Sequence, residues 1–224
     1  MDLVIINPPR VFPYRKKYQI AKRLMDLAFC LLTMPLVLPL LVICALAVHI
    51  DSPGPVLFVQ ERIGKGGRRF RMYKFRTMQH NLDDSRHRDF MKAFVNGRVG
   101  GGENGGAIYK PFQASQITRV GRILRKTSLD ELPQLINVFR GEMSLVGPRP
   151  NVLWEFEEYK GWHNERLEVL PGITGLAQVR GRSGINFDSI VKYDIEYIER
   201  QSLALDFKIL WWTLISVFLG TGAE

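Results

Sequence analysis

Cysteine is scarce in this chain. Only Cys30 and Cys44 occur in 224 residues, both inside one apolar run. They lie ~20 Å apart on a straight helix, beyond disulfide reach. They read as small buried hydrophobes, and nothing here requires an oxidising compartment or a thiolate-bound metal. Histidine is scarce too: the four present are scattered and give no zinc spacing. Walker A, H-E-x-x-H and G-x-S-x-G patterns are missing, as is any repeat of solenoid or propeller period. Gly100, Gly102 and Gly105 match G-x-G-x-x-G formally, but no strand precedes them and no clear helix follows, so a dinucleotide site is rejected. Acid is in short supply, with 22 Asp and Glu against 31 Lys and Arg, a net charge of +9. Such a chain seeks polyanions: nucleic acid, acidic lipid or a phosphorylated substrate. The 46% hydrophobic and 24% charged content excludes disorder, collagen and a polytopic transporter, and the length fits one domain, alone or with an anchor.

What is present is segregated. Leu27 to Val48 are 22 positions without a charge, enough as a straight helix to cross a ~30 Å hydrocarbon core. Pro35 and Pro39 oppose a simple span, because each removes a helix donor and crowds the preceding turn. The flanks oppose it as well. Arg10, Arg15, Lys16, Lys17, Lys22 and Arg23 precede the run, and seven cations between Arg62 and Arg76, with no acid, follow it. A span that exports one flank shows Lys and Arg asymmetry. The expectation is a re-entrant helix that breaks near Pro35 and Pro39 and leaves both ends cytoplasmic. A cleaved signal peptide is excluded by the length of the run and the basic sequence after it.

The division expected is an N-terminal extension at 1–17, a membrane helix at 18–50 and the main domain at 51–224. Val56 to Ile63, a Gly-rich turn and Arg69 to Met78 read as a β-hairpin. Its cations suit either a solvated edge or anionic headgroups. Residues 81–94 read as a helix and 95–112 as a Gly-rich loop; helical pieces follow near 117–126, 129–139 and 187–200. The final helix, 203–219, is amphipathic, with Asp206, Thr213 and Ser216 on one side and Trp211 and Trp212 in its middle. It suits a membrane interface or the protein core.

Ser128-Leu-Asp-Glu-Leu-Pro-Gln-Leu135 is the most informative segment. One reading is a capping box, Ser128 with Glu131, although Pro133 would then cost a helical hydrogen bond. The other is chemical. Adjacent Asp130 and Glu131 at a helix start, preceded by Arg125 and Lys126, could bind a divalent cation and present a carboxylate nucleophile to phosphorus. In Gly147-Pro-Arg-Pro150, Pro148 and Pro150 hold Arg149 so that its guanidinium can meet a phosphate. The glycines of Pro171 to Arg182 permit close approach of backbone to a ligand. Asp194 shares a helical face with Ile190, Tyr197 and Ile198 and needs a partner, either a structural cation or a ligand.

Taken together, Lys22-Arg-Leu-Met-Asp26, Tyr73-Lys-Phe-Arg-Thr-Met78, Ser128 to Leu135, Met143 to Pro150, Pro171 to Val179 with Gly181-Arg182, and Tyr193-Asp194 resemble the bacterial monotopic phosphoglycosyl transferases. The resemblance runs in family order from about residue 18 to 210. It implies a mainly α fold with a small β-hairpin (α+β), a re-entrant membrane helix and interfacial amphipathic helices, with the catalytic domain on the cytoplasmic face of the bacterial inner membrane. It implies transfer of a sugar phosphate from a UDP-sugar to polyprenyl (undecaprenyl) phosphate, release of UMP, and Mg2+ as cofactor. Membrane lipids are the remaining partner, and nucleic acid is not one. Carried over by position, Asp130 is the nucleophile and Mg2+ ligand, and Glu131 its dyad partner. Lys74, Arg125, Arg149 and Arg182 bind phosphate, and Arg76, Pro148, Pro150 and Asp194 support the site. Met34-Pro35 stands where many relatives have Ser-Pro, with Thr33 adjacent.

Two other functions fit less well. A transferase of the bare sugar would release UDP, but no D-x-D metal motif is present. A basic peripheral scaffold would bind anionic lipid or RNA with steep salt dependence and without need of the carboxylates.

Overall fold

The structure, a computed structural model, describes residues 15–79, 85–98, 116–181 and 185–219. Among these the chain is mostly helical with two small sheets. Helix α1 (Lys16–Asp51) carries the apolar run and continues as helix through both Pro35 and Pro39, so the break expected there does not interrupt the helical backbone. It is long and apolar enough to cross a membrane. The Thr33 hydroxyl donates to the Phe29 carbonyl at 2.7 Å. It therefore does not serve the Leu31 carbonyl, the one that Pro35 leaves without a helical donor.

Among the described residues, α1 is seated near its two ends. Near its start Asp26 is buried and accepts from Ser144 Oγ at 2.7 Å and Leu145 N at 3.2 Å, while Arg23 donates to the Val138 and Phe139 carbonyls. Cys30 enters a core of Phe70, Met72, Val138, Met143, Leu145, Val146, Leu176, Tyr197, Ile198 and Ile209. Near its end Cys44 and Val48 pack with Phe75 and Leu124, and Asp51 accepts from Val120 N at 2.9 Å. Between them the helix is largely bare, with Leu32 81% exposed. Both cysteines are free and buried, as their surroundings in sequence suggest.

Strands β1 (Leu57–Ile63) and β2 (Arg69–Phe75) form the expected antiparallel hairpin, Leu57 opposite Phe75 and Ile63 opposite Arg69. Helix α2 (Ser85–Val95) follows, then α3 (Arg119–Lys126), capped by Thr118 Oγ1 on Gly121 N. A 3-10 turn, Leu129–Gln134, runs into α4 (Leu135–Arg140). Strands β3 (Ser144–Val146) and β4 (Gly172–Thr174) pair in parallel and enclose α5 (Leu153–Phe156) and a 3-10 helix, Gly161–Glu168. This second sheet is absent from the hairpin-only expectation, because three-residue strands carry no readable alternation. Its glycines serve the protein itself: a Cβ on Gly172 would lie 2.1 Å from Gly147 N, and one on Gly175 2.3 Å from Gly147 O. The close approach expected toward a ligand is thus made to neighbouring backbone.

Helices α6 (Leu176–Gly181), α7 (Phe187–Glu199) and α8 (Leu203–Phe218) complete the chain. Helix α8 buries polar groups beside Ile209 and leaves large apolar side chains outside. Asp206 is fully buried and accepts from Tyr18, Lys22 and Tyr197, and Thr213 Oγ1 meets Thr174 Oγ1 at 2.6 Å. Phe207, Trp211, Leu214 and Ile215 point outward. The Gly-rich segment beyond Arg98 and residue Arg182 lie outside the described residues.

Candidate active site

The Asp130–Glu131 pair sits where the chain cannot continue as an α-helix. Pro133 has no N–H to give, and the segment tightens into the 3-10 turn. Ser128 enters it in the left-handed region, φ 56°, the one described non-glycine residue there. Its side chain makes no cap hydrogen bond, so the capping box does not form. The Glu131 side chain is engaged elsewhere, which is the physical reason. Its Oε1 accepts from Lys74 Nζ at 2.6 Å and from Arg149 Nη1 at 3.3 Å.

Three elements bring the cations in. Lys74 comes from β2, whose outer edge is held by α4: Asn137 accepts from Tyr73 N at 3.2 Å and donates to Arg71 O at 2.7 Å. Asn137 is fully buried and replaces the neighbour strand that β2 lacks. Arg125, on α3, donates from Nε to Thr77 Oγ1 at 2.9 Å and faces Asp130. Arg149 lies between the buried Pro148 and Pro150, with its side chain 49% exposed.

The two carboxyls are driven apart. Burial alone would raise Glu131, but Arg149 and Lys74 overcome it and hold the group at about 2. Burial raises Asp130 above the usual carboxylate range; Glu131 adds to this, while Lys74, Arg125 and Arg149 pull it back. Burial, with Arg149 beside it, lowers the Lys74 ammonium, and Glu131 opposes that. Among the described residues no hydrogen bond or salt bridge occupies the Asp130 carboxylate. It is the free anion of the pair. Leu129 packs beside Cys44, Val48, Phe75 and Leu124, so Asp130 stands next to the far end of the apolar helix.

Of the residues expected to act together, the fold gathers Lys74, Arg125, Asp130, Glu131 and Arg149. Arg76 is elsewhere: it is buried and donates to the Ser52 and Pro53 carbonyls, tying the end of α1 to the hairpin. Asp194 is fully buried and pairs with Arg166 at 2.7 Å; burial pushes it up to about 6 against the pull of Arg166. Pro35 and Pro39 lie on the bare stretch of α1. Sequence alone assigns no site role to Arg62, which it shows only as the first of the hairpin cations, or to Asn137 and Arg166. A polar residue on an otherwise apolar helical face, as at Asn137, is the one signal available.

Among the described residues no group of three His, Cys, Asp or Glu could hold a metal ion. A divalent cation here would have a single free protein carboxylate, Asp130. That donor set fits Mg2+, which is commonly held by one or two carboxylates with substrate phosphates and water.

Such a fold and site define a class: a helical protein whose carboxylate–cation cluster is built against the end of a bare apolar helix. The chain belongs to the bacterial sugar transferase family, whose model matches residues 17–220. It is similar to the galactosyl transferase CpsE of Streptococcus agalactiae, 40% identical over 94% of this chain and 45% of that protein. It is similar also to a UDP-glucose:undecaprenyl-phosphate glucose-1-phosphate transferase of Caulobacter vibrioides, 40% identical over 96% of this chain and 76% of that protein. The exopolysaccharide production protein ExoY of Sinorhizobium fredii is 36% identical over 91% of this chain and 88% of that protein. The chain spans about half the length of several curated relatives it matches, 45% and 46% for two of them.

Proposed function

We propose that the chain is a phosphoglycosyl transferase that moves a sugar 1-phosphate from a UDP-sugar to undecaprenyl phosphate. One observation carries this reading: a free, raised carboxylate, Asp130, stands among Lys74, Arg125 and Arg149 at the foot of an apolar helix. Relatives named as undecaprenyl-phosphate sugar-phosphate transferases support it.

In the first step an Asp130 oxygen attacks the phosphorus that bears the sugar. The bond from that phosphorus to the bridging oxygen breaks, and UMP leaves with the electron pair. In the second step a phosphate oxygen of the lipid attacks the same phosphorus, the Asp130–phosphorus bond breaks, and the lipid diphosphate sugar departs. Fixed cations do most of the work, because phosphoryl transfer is governed by position and charge. Lys74, Arg125 and Arg149 bind the phosphates, and Glu131, ionised throughout the physiological range, orients Lys74 and Arg149. Mg2+ held at Asp130 would neutralise phosphate charge.

The seating of both ends of α1 on one domain supports a monotopic, re-entrant disposition. A helix that carried one flank across the bilayer would separate Asp26 from Val48, yet both pack against the same body. The bare stretch of α1 and the outward Phe207, Trp211 and Leu214 of α8 then face lipid on the cytoplasmic side of the inner membrane.

The test is product analysis. Purified protein with Mg2+, undecaprenyl phosphate and a panel of UDP-sugars is expected to release UMP, and Asp130→Asn to abolish release while remaining folded and membrane-bound. Full activity in folded Asp130→Asn would remove the nucleophile assignment. UDP as the product would replace the reaction with bare-sugar transfer.

A further inference from the structure

Arg149 is held in an unusual way. Its neighbours Pro148 and Pro150 have no N–H, so the segment is gripped through its carbonyls instead. Four in succession are engaged. Pro148 O accepts from Gly172 N at 2.9 Å, Arg149 O from Arg166 Nη2 at 2.9 Å, Pro150 O from Arg62 Nη1 at 3.1 Å, and Asn151 O from Ile63 N at 2.9 Å. Two of the four donors are guanidinium groups from elsewhere in the chain.

Arg166 is the more deeply placed of these. Its Nη1 donates to Asn151 Oδ1 and, at 3.0 Å, to the Tyr159 hydroxyl. Its Nη2 stands between the Arg149 carbonyl and Asp194 Oδ2, the latter at 2.7 Å, with both charged side chains 2% exposed. A guanidinium this deep needs a counter-charge, and Asp194 on α7 supplies it. The interior pair therefore reaches the site through the backbone of Arg149, and among the described residues no hydrogen bond or ion pair joins it to the dyad.

We propose that Arg166 and Asp194 are positioning residues for Arg149, fixing the direction from which its side chain meets the donor phosphates. This rests on the reading of Arg149 as a phosphate ligand. Asp194 sets the fork of Arg166, the fork sets the Arg149 carbonyl and the Asn151 side chain, and the two prolines pass that constraint to the Arg149 side chain.

A double-mutant cycle distinguishes this from general support of the fold. Four proteins are compared: the parent, Asp194→Asn, Arg149→Ala and the double variant. UMP release is followed with sugar-labelled UDP-sugar below saturation, so that slow turnover is still counted, and thermal unfolding is recorded for each. Asp194→Asn is expected to lower kcat/KM about 10-fold or more in the parent and by less than about 2-fold once Arg149 is Ala, as coupled sites do. Equal losses in both backgrounds would overturn the inference. Should Asp194→Asn not fold, Arg166→Lys takes its place under the same criterion, since one ammonium cannot bond all three acceptors and also sit against Asp194. UMP release with equal losses would remove this inference alone, whereas no UMP from the parent would remove the proposed function and the inference together.

Discussion

Ser128 is the residue whose conformation most directly presents the dyad. Its φ of 56° lies where a Cβ crowds the backbone, at a cost of about 1–2 kcal/mol, and no side-chain cap offsets it. Ser128→Gly is therefore expected to keep the turn and the turnover. Ser128→Val is expected to lose about 1–2 kcal/mol in thermal or denaturant unfolding and to lower kcat, because a branched Cβ pushes the backbone out of this region. Equal behaviour of the two variants would show that the left-handed turn does not hold Asp130 and Glu131 in place. The sequence announces the dyad and misleads about its setting. Ser128 and Glu131 have the spacing of a capping box, but Lys74 and Arg149, distant in sequence, claim the Glu131 carboxylate. Local spacing cannot register a partner 57 residues away.

At the scale of elements, the hairpin, α3, α7 and α8 are legible from turn residues and periodicity, whereas the parallel β3–β4 pair is not. The basic flanks show why charge patterns alone mislead. Arg15 donates to the carbonyl of Glu199, the last residue of α7, and to that of Gln201 just beyond it, and Arg23 to two carbonyls in the last turn of α4. Lys22 pairs with Asp206, and Arg76 holds the end of α1. These cations are engaged within the protein, Arg15, Arg23 and Arg76 on backbone carbonyls near helix ends and Lys22 on a buried carboxylate. His163, a fully buried ring at the heart of the 3-10 helix Gly161–Glu168, is another element-scale device. Its Nδ1 accepts from Lys160 N at 3.2 Å, which leaves Nε2–H to donate to Asp188 on α7 at 3.0 Å. Burial pushes the imidazole below its usual value, outweighing the pull of Asp188. A depressed folded value means that the unfolded chain binds the proton more readily, so this contribution is present above about pH 6.5 and is lost as pH falls further. The unfolding midpoint is expected to drop as pH falls below about 6.5, and His163→Gln to flatten that slope. An unchanged slope would acquit His163.

For the whole molecule, the distribution of apolar surface decides how it meets a membrane. The outward residues of α1 and α8, with Ile123, Ile136 and Phe139 from α3 and α4, are exposed, while many nearby cations are bonded inside. Binding to neutral phosphatidylcholine vesicles is thus expected to survive about 1 M salt, where charges are screened beyond ~3 Å. Release by salt would favour the basic scaffold instead. The seating of α1 has a last consequence. Asp26, Cys30, Cys44 and Val48 are interior residues of the folded body that happen to be encoded in its hydrophobic segment. Replacing that segment with a generic apolar helix of equal greasiness would hollow out the body at two places, so the apolar helix and architectural integrity are inherited together and cannot be exchanged as separate modules.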